Sequence, residues 1–120
     1  MEGRGATILV ADDDPAIRLL CRVNLELEGY GVAEAASSAE IDEALAAGDV
    51  SALLLDVRLG ADDGREVARR LRAERPELPI AFFTGSVLEP DEEPELAAGY
   101  IPKPFTLEVL TETVRRLVPR

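Results

Sequence analysis

The chain has no histidine and no tryptophan among its 120 residues, and it has one cysteine and one methionine. Without histidine there is no imidazole base, no Ser-His-Asp triad and no histidine metal ligand. The lone Cys21 cannot close an internal disulfide, and its place in a helical pattern reads as apolar filler rather than a reactive thiol. Basic residues are also scarce: 13 Lys and Arg against 24 Asp and Glu give a formal net charge of −11. That balance argues against general binding to a nucleic-acid backbone and suits a cation or a basic protein partner. No apolar run approaches a membrane span, and the opening MEGRG has no signal core. These features predict a soluble, cytoplasmic protein that does not engage membranes. Hydrophobic residues at 47% and charged residues at 31% then point to one globular domain over residues 1–120, with its core at about 7–118.

Short apolar runs alternate with amphipathic ones. Thr7–Ala11 (TILVA), Gly31–Ala35 (GVAEA), Ala52–Asp56 (ALLLD), Ile80–Thr84 (IAFFT) and residues 100–101 read as five strands. Between them, Asp14-Pro15 opens a helix with a stripe of Ile17, Leu20, Cys21 and Leu27, stopped by Gly29. Ser37-Ser-Ala-Glu40 is a capping box for a helix ending at Gly48. Asp62 or Asp63 caps a third, which faces Val67, Ala68 and Leu71 inward before Pro76. Thr106 caps the last, with Leu107, Leu110, Val114 and Leu117 on one face. Segment 85–99 carries Pro90, Pro94 and the acids Asp91, Glu92 and Glu93, and leaves room for only a short helix over 92–98. The pattern predicts an α/β fold: a flavodoxin-like, doubly wound five-stranded parallel sheet in the order 2-1-3-4-5, with a shortened fourth helix.

In open sheets of this kind, chemistry collects at the C-terminal strand ends. There stand Asp12 and Asp13 after the first strand, Asp56 at the end of the third, Thr84 at the end of the fourth and Lys103 after the fifth. Three neighbouring carboxylates repel, and a hard divalent cation such as Mg2+ relieves that repulsion. A hydroxyl and an ammonium beside the metal suit a phosphoryl group, so the set predicts metal-assisted phosphoryl transfer with a carboxylate as nucleophile. Asp14 reads as a helix cap rather than a ligand.

These residues resemble the receiver domain of bacterial two-component response regulators of the chemotaxis-regulator type. ILVADDDPAIR is similar to its acidic motif, LLLDVRLGADDGREV to its phosphoacceptor motif, FFTG to its hydroxyl motif and GYIPKPF to its aromatic and Lys-Pro motif. The resemblance implies that Asp56 accepts phosphate from a sensor histidine kinase or histidine phosphotransfer protein, and that the domain assists its own phosphorylation and dephosphorylation without being a conventional enzyme. It implies Mg2+ held by Asp12, Asp13, Asp56 and the backbone carbonyl of Arg58. Lys103 pairs with Asp56 and then with the phosphoryl oxygens, Thr84 donates to the phosphoryl group, Tyr100 is the switch aromatic, and the Lys103–Pro104 bond is cis. A downstream protein target or output domain reads the switch, through a face that normally joins the fourth helix, fifth strand and fifth helix; the family allows for a phosphorylation-dependent dimer.

Several positions depart from the family pattern. Leu59-Gly60 replaces a common Met-Pro and implies a looser loop, and Pro102 stiffens the approach to Lys103. Arg58 and Ser86 stand where the family tunes phosphate lifetime, and the Pro-rich 85–99 segment leaves the usual output face in doubt. No DNA-binding segment follows the last helix, which ends near Val118, so the chain is read as a single-domain regulator or a receiver excised from a larger regulator or hybrid kinase, the Met start favouring the first slightly. Two other readings compete. A pseudo-receiver would keep the fold as a constitutive interaction module. A haloacid-dehalogenase-like phosphatase would use Asp12 as nucleophile and Asp14 as acid, but it needs an acidic pair after Lys103 and leaves Asp56 without a role.

Overall fold

The computed structural model describes residues 6–85 and 97–119. The five predicted strands appear as β1 (Thr7–Ala11), β2 (Gly31–Ala35), β3 (Ala52–Asp56), β6 (Ile80–Thr84) and β7 (Gly99–Pro102), with β4 (Arg58–Leu59) and β5 (Asp62–Asp63) forming a small separate ribbon. The main sheet runs β2-β1-β3-β6-β7 with every pairing parallel, which is the predicted doubly wound order. The described helices are α1 (Pro15–Leu27), α2 (Ser38–Ala47), α3 (Gly64–Glu74) and α4 (Leu107–Leu117). The predicted helix at 92–98 and Ser86 lie outside the described residues, apart from Ala97 and Ala98, which are not helical.

Strand alternation divides the core in two. Leu9, Leu53, Leu55, Ile80 and Phe82 point to one face, under Ile41 and Leu45 of α2 and Val67, Ala68 and Leu71 of α3. Ile8, Val10, Leu54, Ala81 and Phe83 point to the other, under Cys21 and Leu25 of α1 and Leu110, Val114 and Leu117 of α4. Both faces of the central strands are therefore covered, which is why their sequences read as unbroken apolar runs. Truncating a fully buried Leu54 to Ala would cost about 2–5 kcal/mol.

The helix starts follow their caps. The Asp14 carboxylate accepts from the Ala16 N–H with Pro15 in the first turn, Asp63 rather than Asp62 accepts from Arg65, and the Thr106 hydroxyl accepts from Val109. Ser37 accepts from the Glu40 N–H, but Glu40 reaches back to the N–H of Ala36, one residue before the cap. Asp62 is used elsewhere: it accepts from the Ser38 N–H and so ties the β4–β5 ribbon to the start of α2.

Three expectations change. On α1, Leu20 and Leu27 point outward, 41% and 79% exposed, and Leu25 takes the core position with Cys21. The inward line is 17-21-25, one residue in four, while Leu19, Leu20, Val23 and Leu27 form an outer apolar stripe. On α4, Leu107, at the first helical position, is 43% exposed, and the inward line begins at Leu110. The Leu59-Gly60 loop is not loose. Arg58 pairs with Asp63 and Leu59 with Asp62 across a two-residue connection whose first residue, Gly60, has φ 61°, and Leu59 is buried.

Candidate functional site

Parallel register brings the ends of β1 and β3 side by side, with Ala11 opposite Leu55. Asp12 and Asp13 leave β1 where Asp56 closes β3, and one carboxylate oxygen from each of the three lies within 4.8 Å of the others. Asp12 is fully buried, Asp56 partly buried and Asp13 exposed. Lys103 reaches in from the end of β7. Its Nζ donates to Asp12 Oδ2 at 2.7 Å and to Asp56 Oδ2 at 3.0 Å, and lies 5.6 Å from the centre of the Phe83 ring. Its backbone is fixed as well, because the Lys103 N–H donates to the Thr84 carbonyl at 2.9 Å; the Lys103–Pro104 bond is cis.

The remaining oxygens of the buried acids also have donors. Asp12 Oδ1 accepts from the Asp14 N–H at 2.9 Å, and Asp56 Oδ1 from the Arg58 N–H at 3.0 Å. Burial pushes the Asp12 carboxyl above its ordinary value, with Asp56 adding to the rise and the Lys103 ammonium and Asp14 N–H opposing it. Burial also pulls on Lys103, downward, but its hydrogen bonds to Asp12 and Asp56 outweigh that and hold its pKa above the usual lysine range. Cys21 of α1 lies in the core, and burial, reinforced by the Asp12 charge, pushes its thiol up to about 12. It is an inert core residue at neutral pH.

Thr84 and Tyr100 stand on the neighbouring strands and line a cleft of about 570 Å³ together with Arg58, Arg65 and the Gly60–Asp63 turn. Thr84 is 5% exposed, and among the described residues neither its Oγ1 nor the buried Tyr100 hydroxyl has a hydrogen-bond partner. Tyr100 packs on Phe82 with centroids 6.1 Å apart, and the Arg65 guanidinium covers the same Phe82 ring at 5.6 Å.

Asp12, Asp13, Asp56 and Lys103 thus converge as their strand positions predict, with Thr84, Tyr100 and Arg58 around the adjoining cleft. The donor set fits a hard cation: three carboxylate oxygens lie close together, and one of the acids, Asp13, is exposed. Two further residues matter to this geometry. A Cβ at Gly64 would drive into the carbonyl oxygen of Asp56, so only glycine lets α3 start against the end of β3, where its N–H donates to the Val57 carbonyl at 2.9 Å. Arg18 donates through Nη1 to the Asp12 carbonyl at 2.7 Å. The Asp63-Gly64 pair and Arg18 are both visible in the sequence as parts of quoted motifs, but the partner of Arg18 is not, since it is a backbone atom.

Residues 8–115 match the family model described as the response regulator receiver domain. Response regulator MprA of Mycobacterium ulcerans is 40% identical over 116 residues, covering 94% of this chain and 50% of that protein. The chain thus spans about half the length of the curated relatives it matches. The chemotaxis response regulator CheY4 of Vibrio cholerae superposes with a TM-score of 0.83 at 26% identity, covering 94% of this chain and 98% of that one. Response regulator TrrA of Thermotoga maritima, solved in complex with Mg2+-BeF, superposes with a TM-score of 0.82 at 29% identity, covering 93% and 98%.

Proposed function

This chain belongs to the response regulator receiver domain family, and on that premise we propose that Asp56 is a phosphoacceptor in two-component signalling. One observation carries the reading: the Asp12, Asp13 and Asp56 carboxylates come together at one sheet edge with the Lys103 ammonium bonded to two of them. The donor is a phosphohistidine of a sensor kinase or phosphotransfer protein. An Asp56 carboxylate oxygen attacks phosphorus, the donor's P–N bond breaks as the new P–O bond forms, and the leaving imidazole takes a proton from solvent.

Asp12, Asp13 and Asp56, with the Arg58 carbonyl, would hold Mg2+, a choice supported by the Mg2+-BeF complex of TrrA. When bound, Mg2+ supplies charge neutralisation for the phosphoryl oxygens. Lys103 supplies the second positive charge. It releases part of its bond to Asp56 and follows the transferred oxygens, steered by the Thr84 carbonyl that anchors its backbone. The new group brings about −1.5 to −2 of charge. The Thr84 hydroxyl, without a partner among the described residues, is the natural donor to it, and drawing Thr84 inward opens space for Tyr100 along the shared cleft. This biases an inactive–active equilibrium that a protein target or output domain reads.

The test is incubation with Mg2+ and a small phosphodonor, followed by intact mass. One phosphoryl group should add, stable to acid and labile to base, and none should add to Asp56→Asn. Wild-type protein left unmodified where a control receiver reacts would overturn the proposal in favour of a constitutive interaction module.

A further inference from the structure

Among the described residues, Asp13 is the member of the acidic group whose carboxylate no hydrogen bond holds; it is exposed, and only its backbone ties it to the rest of the site. That backbone is gripped on both sides. The following N–H, of Asp14, donates to Asp12 Oδ1 at 2.9 Å. The preceding carbonyl, of Asp12, accepts from Arg18 Nη1 at 2.7 Å. Arg18 is itself fixed: its Nε donates to Glu34 Oε1 at 3.0 Å, while Arg22 Nε donates to Glu34 Oε2 at 2.6 Å. The guanidinium thus spans from β2 to the peptide that joins Asp12 to Asp13, using the planar fork that only arginine has.

We propose that Arg18, braced by Glu34, is a positioning residue for the metal site: it fixes the Asp12–Asp13 peptide so that the free Asp13 carboxylate stays within reach of Asp12 and Asp56. The inference rests on the Mg2+ reading above and adds a residue that touches neither metal nor phosphate.

Charge and positioning predict opposite signs. Arg18 is a cation near a cation site, so if its charge were what mattered, removing it would tighten Mg2+ binding. If it positions Asp13, removing it weakens binding. Groups that orient metal ligands from behind are typically worth tenfold or more in affinity. The experiment is a Mg2+ titration of the full chain, followed by the backbone amide NMR shifts of Asp13 and Asp14, on wild type, Arg18→Met and Arg18→Lys. Arg18→Met should weaken binding about tenfold. Arg18→Lys, with one ammonium in place of the fork, should weaken it less. Unchanged or tighter binding in a folded Arg18→Met overturns the proposal; should that variant fail to fold, unchanged binding in Arg18→Lys does the same. Absence of Mg2+ binding by the wild type is a separate result, which brings down the metal reading and this inference with it.

Discussion

On the β1–β3 side of the sheet edge, both carboxylate oxygens of Asp12 and both of Asp56 have donors, and the ammonium between them is shared. On the β6–β7 side, the Thr84 and Tyr100 hydroxyls are buried and, among the described residues, have no partner. The difference follows from what each group costs when desolvated. An unpaired buried carboxylate costs several kcal/mol, so the charged half must be satisfied in every state of the molecule. An unpaired hydroxyl costs about 1–3 kcal/mol, which a domain can carry if another state supplies the missing partner. The charged half is paired within itself; the hydroxyl half, among the described residues, is not. Substitutions should therefore change stability in opposite directions in the two halves.

The largest effect is expected at Lys103. In Lys103→Met the buried Asp12 carboxylate loses its ammonium, and stability without metal should fall by about 2–4 kcal/mol in urea unfolding. Mg2+ should then restore more stability to this variant than it adds to wild type, because no ammonium competes with the cation. An unfolding midpoint equal to that of wild type would mean that the charged half is not held by its pairing. For the wild type, Mg2+ at about ten times its Kd adds about 1.4 kcal/mol, a rise of roughly 4–6 °C in Tm, reversed by chelation. Asp13→Asn should lose most of that rise.

Which parts of this arrangement could be read from sequence depends on the range of the interactions. The strands were legible because burial on both faces forces unbroken apolar runs, and ALLLD and IAFFT show this most clearly. The convergence of Asp12, Asp13, Asp56, Thr84 and Lys103 at one edge then followed from parallel topology. The outward turn of Leu20 and Leu27 was not legible. α1 is apolar on more than one side, so periodicity alone cannot choose which side meets the sheet; Leu25 takes the core place that the stripe assigned to them. The role of Arg18, the last residue of the acidic motif, was hidden because its partner is a backbone carbonyl, and that of Glu34 because a partly buried strand glutamate shows its partners only in three dimensions. That the Thr84 and Tyr100 hydroxyls have no partner among the described residues is invisible in sequence for the same reason: nothing in FFTG distinguishes a paired threonine from an unpaired one.

In the hydroxyl half the expected sign is reversed. Thr84→Val keeps the shape and β-branching of the side chain and removes an Oγ1 that has no partner among the described residues, so metal-free stability should rise by about 1 kcal/mol while phosphoryl accumulation falls. Tyr100→Phe should raise it by roughly 0.5 kcal/mol, less because the ring keeps its packing on Phe82 and its residue is only partly buried. Loss of stability in both variants, measured by urea unfolding, would show that these hydroxyls have partners and would erase the contrast.

The smallest effect lies behind the charged half, at Glu34. The Arg22 hydrogen bond, against an opposing desolvation and with help from Arg18, holds the Glu34 carboxyl below its ordinary value. A carboxyl with a lowered folded-state pKa binds fewer protons folded than unfolded, so its contribution is complete above the unfolded value of about 4.3 and is lost as pH falls through the folded one. Glu34 and its partners are partly exposed, which screens the pairs and keeps the contribution below about 1 kcal/mol. Glu34→Gln has no proton to take up in this window. The stability gap between wild type and Glu34→Gln should therefore be constant from pH 7 to about 5 and close as the pH falls further. A gap already absent at pH 7 would mean that Glu34 acts through its shape, which glutamine keeps, rather than through its ion pairs, and that the brace on Arg18 is steric.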